Sequence, residues 1–222
     1  MNRSEYDFGS WRCAYEVSPV DSPPSLVALQ TMMREVEGHE TGWPVWLTLS
    51  NRPEMRPRPV DGVLECWLDQ TQDKDFWRAD PQGRMFLIRR LQEDTREING
   101  AQPGTIFELT LPIWRTGECL LHAFRLASRL EAEHVALQMT WTGLANRTLT
   151  AWASPERWLE PSRVCMTDTV RSRIAVDAET ISDTLPELVR SLVQPLYEQF
   201  DLFEPPADIY AVEMERLRSR RH

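Results

Sequence analysis

The stretch DFWRADPQGRMFLIRR, residues 75–90, restricts the fold more than any other part of the chain. Asp80-Pro81-Gln82-Gly83 sets Asp, Pro and Gly at the first, second and fourth positions of a type I turn. The stretch therefore reads as a β-hairpin with a polar tip. Its second arm, Met85-Phe86-Leu87-Ile88, is apolar at four consecutive positions. That pattern requires burial on both faces and puts this strand in the interior of a sheet.

The remaining elements follow from periodicity. WRCAYEVS (11–18) alternates as a strand, and SPPSLVALQTMMREVEG reads as a helix opened by Ser22 and the prolines and closed by Gly38. HETGWPVWLTL turns at Gly42 and Pro44 and runs into a short apolar strand. In NRPEMRPRPVDG, prolines at 53, 57 and 59 oppose regular hydrogen-bonded structure, which predicts an extended arm or a linker dividing the chain near 51–60. VLECWL, TIFELTL, HVALQMTWTG, NRTLTAW and RVCMTDTVRSRIAVDA read as strands, the last with Val170, Ile174 and Val176 opposite Arg171 and Arg173. A helix begins near Pro112, and its stripe includes Ile113, Gly117, Leu120, Leu121, Phe124 and Ala127. SDTLPELVRSLVQPLYEQF carries a continuous stripe from Leu185 to Phe200, with Pro195 removing one donor and predicting a kink. The tail, 206–222, is helical and ends basic. This order predicts an α+β fold, a mostly antiparallel sheet with three to four helices packed on it, in one domain spanning 1–222. Alternating βαβα units are absent, which disfavours a doubly wound nucleotide fold.

Composition narrows the functions. In 222 residues, 25 basic side chains face 34 acidic ones for a net charge of -9, so non-specific grip on nucleic acid or anionic lipid is disfavoured and any such contact is local. Lys74 is the sole lysine, so no Walker A loop exists, and the polar run DQTQDKD offers nothing to lower the Lys74 pKa for Schiff-base chemistry. No signal-peptide core and no apolar run long enough to cross a bilayer is present, which predicts a cytoplasmic protein with no membrane contact. Cys13, Cys66, Cys119 and Cys165 form no CxxC pair and read as reduced core fillers.

Candidate chemistry is sparse. Cys119 and His122 share a helix face, but Leu120, Leu121 and Phe124 around them favour core packing over a thiolate pair or a metal site. His39 reads as solvated or capping. Glu93, Asp94 and Glu97, with Asp75 and Asp80 near in sequence, would suit a divalent cation, yet the alternating charges of EDTREI favour a solvated turn, and neither a metal nor a cofactor is expected. Arg52, Arg56 and Arg58, spaced by prolines beside Trp43 and Trp46, and Trp77 and Arg78 in the hairpin, are Trp/Arg groups of the kind that interface hot spots favour. GxG, GxSxG and HExxH are missing.

Several stretches together carry a family resemblance: TGWP, RPRPVDGVLECWL, DFWRADPQGRMFLIRRLQED, PGTIFELTLPIWRTGECLLHAFRLA, WTGL and LVQPLYEQFD. They resemble the region that follows a Schlafen AlbA-like putative DNA-binding domain in bacterial regulator-type proteins. No such domain precedes them in these residues, so the resemblance implies a sensing, specificity or docking role rather than nucleic-acid chemistry. The reading is a non-enzymatic bacterial module that binds a protein partner in a regulatory or defence-like system through Trp43, Trp46, Arg52, Arg56, Arg58, Trp77 and Arg78. The alternative is a small-ligand receptor or enzyme whose site assembles only in three dimensions, around Arg78, Arg89, Glu93 and His122.

Overall fold

In the computed structural model, the described residues are 9–49, 52–69, 74–154, 156–157, 159, 163–203, 205–206 and 208–219. The basic end of the tail, 220–222, lies outside them. The hairpin of the sequence reading is present as β4 (Lys74–Ala79) and β5 (Arg84–Arg90). Gly83 N donates to Asp80 O at 2.9 Å, and Gly83 holds φ +83°, a left-handed conformation that L side chains avoid. As the four apolar positions require, β5 lies inside the sheet, between β4 and β1 (Ser10–Ser18).

Seven strands form one antiparallel sheet. β2 (Arg58–Val60), β3 (Val63–Asp69), β4 and β5 form a meander, and the sheet continues through β1 to β7 (His134–Thr142) and β9 (Thr169–Asp177). β6 (Ile106–Glu108) and β8 (Thr148–Thr150) make a separate parallel pair. The helices are α1 (Leu26–Val36), α2 (Leu111–Leu130), α3 (Leu185–Glu198) and α4 (Ile209–Ser219). The fold is α+β.

Strand alternation divides the sheet into two faces. On the inner face Trp11, Cys13, Tyr15 and Val17 of β1, Val135, Leu137, Met139 and Trp141 of β7, and Met85 and Leu87 of β5 are buried. α2 packs on β1 and β7, α3 lies along β9, and α4 packs on α2 and α3. α2 is buried on most sides, and at Gly117 a Cβ would stand 2.6 Å from Met214 Sδ, so this glycine sets the close approach of α2 and α4. Pro195 sits inside α3.

Two local expectations change, and strand pairing decides between the arm and the linker at 51–60. α1 is capped by Ser25, whose side chain accepts from Ala28 N at 3.3 Å, rather than by Ser22, because two prolines separate Ser22 from the first turn. The stretch 43–49 is not a strand: Trp46 takes φ +50°, which breaks extension, and it folds beneath the sheet. The proline-rich arm is not a linker, since Arg58–Val60 pairs with β3 as an edge strand, where Pro59 lacks only a donor that an edge can do without.

Candidate binding face

Among the described residues, no helix packs on the outer face of the sheet. The register fixes what this face presents. Arg58 opposes Glu65, which opposes Arg78, and Arg78 opposes Phe86 in turn. The next row carries Trp67, Phe76, Ile88 and Arg12, of which Phe76 and Ile88 are buried beneath their neighbours. The Trp67 and Phe76 rings lie 4.3 Å apart, and Phe76 and Phe86 lie 6.3 Å apart. Trp67 remains 40% exposed, so an indole stands in solvent at the edge of an aromatic patch. Arg78 Nε donates to Glu65 Oε1 at 2.9 Å.

Beyond the patch, a groove of about 700 Å³ runs over β5, β1, β7 and β9. Its floor includes Ala14, Ala136 and Ala175, and Arg84, Glu16, Gln138 and Arg173 stand around it. Small side chains make the depression: Ala136 opposes Ala175 across β7 and β9, and Ala14 lines it from β1.

The structure brings some predicted residues together and separates others. Arg58 and Arg78 share one outer row, flanking Glu65, and Arg52 and Arg56 are exposed on the approach to β2. Trp46 and Trp77 are corrections: both are fully buried, with their indoles donating to Phe86 O (3.1 Å) and Leu47 O (3.0 Å), so neither reaches a partner. Trp43 is half-buried and donates to Asp75 Oδ2 at 3.0 Å.

The alternative pocket set does not converge. Arg78 is on the outer face, His122 is inside the core, and only Arg89 and Glu93 line a common cavity. That cavity measures about 30 Å³, room for about one water molecule. The Arg89 guanidinium is held by Asp75, through Nε–Oδ1 at 2.8 Å and Nη2–Oδ2 at 2.6 Å, and lies 5.4 Å over the Trp11 ring. Arg89 and Asp75 face each other in the β4–β5 register, so the pair is set by strand pairing.

Glu93 and Asp94 were expected in solvent and are instead buried in the 3-10 turn after β5. Asp94 takes both prongs of Arg147, and Glu93 Oε1 accepts from Glu108 N at 3.0 Å. Burial pushes the Glu93 carboxyl up to about 7, against its backbone hydrogen bonds and Arg147, which pull it down. No group of three metal-ligating side chains is gathered among the described residues.

Cys119 and His122 are core residues, as their apolar surroundings indicate. His122 Nδ1 lies 2.7 Å from the Tyr15 hydroxyl, and the imidazole stacks on Trp46 at 4.6 Å. Burial and the charge of Arg125 lower His122 to about 3, so the ring is neutral at physiological pH. Burial raises the thiols of Cys13, Cys66 and Cys165, the opposite of what a nucleophile needs. His39 is exposed, 3.5 Å from Glu37.

Sequence reasoning missed Trp67, Phe86 and Arg12 as surface groups. The signal lay in the alternation of VLECWL, where Trp67 falls out of phase with Leu64, Cys66 and Leu68. No helix among the described residues is long and apolar enough to cross a membrane. The chain matches no family profile, no curated protein and no solved structure.

Proposed function

We propose that the chain is a non-catalytic docking module whose outer sheet face binds an acidic segment of a partner protein. The observation that carries the reading is the solvent-exposed Trp67 of the Trp67–Phe76–Phe86 patch, set among arginines on a face with no helix over it among the described residues. Aromatic and arginine side chains supply much of the binding energy in protein interfaces. Arg12, Arg58 and Arg173 make no ion pair among the described residues, so this face offers cations while the chain as a whole carries -9. A carboxylate-bearing peptide satisfies both properties. A nucleic acid is disfavoured by long-range repulsion from the rest of the chain. The buried thiols and the neutral, enclosed His122 support binding over catalysis. The bacterial regulatory or defence-like setting rests on the family resemblance alone.

The test is capture with the tagged chain in the presence of nuclease, followed by titration of the purified partner against wild type, Trp67→Ala and Arg58→Glu. Each substitution is expected to weaken binding by roughly tenfold or more, the range of a hot-spot residue. Unchanged affinity in both variants removes the outer face from the interface, and recovery of nucleic acid in place of protein overturns the partner class.

A further inference from the structure

The two edges of the sheet are built differently. At one, β2 has three residues with Pro59 in the middle, a short edge lacking a donor. At the other, β9 runs nine residues, TVRSRIAVD, with no proline, glycine or lysine, and pairs along its whole length with β7 alone. Among the described residues, no strand and no backbone hydrogen bond occupies its other side. Long, regular edges of this kind recruit another strand unless something blocks them. Ile174 and Val176 on the inner face of β9, and Leu188 of α3, pack against the core but remain only partly buried. An apolar seam therefore lies along the open edge.

We propose that β9 pairs antiparallel with β9 of a second copy of this chain, about a two-fold axis at Ile174, extending the sheet across a symmetric dimer. Such an axis, normal to the sheet, keeps outward residues on the outward face, so only registers that oppose residues of one face are allowed. Centring on Ser172 opposes Arg171 to Arg173 of the second copy, and centring on Arg173 opposes it to itself; both set like charges face to face. Centring on Ile174 opposes Arg171 to Asp177 of the second copy twice over, Arg173 to Ala175, and Ser172 to Val176, while the two Ile174 side chains meet on the inner face. Centring on Ala175 also opposes unlike charges, Arg173 to Asp177, but leaves a shorter ladder. Of the two registers that oppose unlike charges, the one centred on Ile174 gives the longer ladder. Arg171 is exposed with no ion pair among the described residues, and Asp177, engaged with His134 at 2.9 Å, is 63% exposed at its side chain.

The test is sedimentation equilibrium and native mass measurement of the full chain, with far-UV dichroism to verify that each variant folds. Wild type is expected to be a dimer. R171D and D177R each oppose like charges across the axis and should raise the dimer dissociation constant at least tenfold. The double variant R171D/D177R restores both pairs with sign reversed and should return it to within about threefold of wild type, while R173D, opposite Ala175, should leave it unchanged. A wild-type chain that stays monomeric at its highest soluble concentration overturns the proposal. So does a dimer indifferent to R171D and D177R, or one broken by R173D and not by R171D. These readouts leave Trp67 and Arg58 intact, so failure here is separable from failure of the docking face.

Discussion

Arg147 and Asp94 form a two-pronged ion pair, Nη1–Oδ1 and Nη2–Oδ2 both at 2.7 Å, in which neither side chain reaches solvent. Further bonds complete it. Arg147 Nη1 also donates to Ile106 O at 3.0 Å, and Gly104 N donates to Asp94 Oδ1 at 2.8 Å. The pair thereby ties the turn after β5 to β6 and to the loop before β8. Removing one partner leaves a buried charge, so Asp94→Asn or Arg147→Met should each cost about 3–5 kcal/mol. Replacing both with apolar residues of similar volume should cost much less than the sum, and denaturant titration of the two singles and the double checks it.

Glu93 makes stability depend on pH. Its folded pKa, about 7, lies above the ordinary value of 4.5, so its favourable contribution is fully present below about 4.5 and is lost as pH rises through 7. Relative to wild type, Glu93→Gln should therefore gain on the order of 3 kcal/mol between pH 4.5 and 8. Unfolding midpoints of both proteins across that range give the difference, and a flat difference counts against a raised Glu93 pKa.

His122 works in the opposite direction. Its folded pKa is lowered from 6.5 to about 3, so the stability of the neutral ring is present above 6.5 and is lost as pH falls toward 3. Replacing it with Phe should flatten the acid limb of the stability profile. At neutral pH the same substitution orphans the Tyr15 hydroxyl, which costs about 1–3 kcal/mol, whereas Tyr15→Phe with His122→Phe removes both partners and recovers much of it. A double-mutant cycle at pH 7.5 measures that coupling.

Gly83 is required by its turn. At φ +83° an added Cβ would stand 2.6 Å from Val17 O and 2.8 Å from Val17 Cγ2, so Gly83→Ala both strains the backbone and collides with β1. A loss of more than about 1 kcal/mol is expected by thermal unfolding.

Two tryptophans in neighbouring strands should behave in opposite ways. Trp77→Ala empties a fully buried site and should cost about 3–5 kcal/mol of stability. Trp67→Ala should cost about 1 kcal/mol, from the lost contact with Phe76. Parallel melts of the two variants check the contrast.

The sequence by itself determined the local chemistry of the fold. Proline and glycine in DPQG, the apolar run Met85–Ile88, the alternation in HVALQMTWTG and the stripe from Leu185 carry their geometry within a few residues, and turn, interior strand, half-buried strand and helix all appear in place. Tertiary structure decided which polar side chains would face water. Trp77 and Arg78 are neighbours in β4, yet one fills the core, donating to Leu47 O beneath the sheet, and the other pairs with Glu65 outside, because strand phase selects the face. Glu93 and Asp94 look like a solvated turn until Arg147, distant along the chain, is brought beside them. Arg58 and Arg78 come together only through β3, whose Glu65 stands between them. Pairing across strands depends on contacts between residues far apart in the chain, and no local period encodes it.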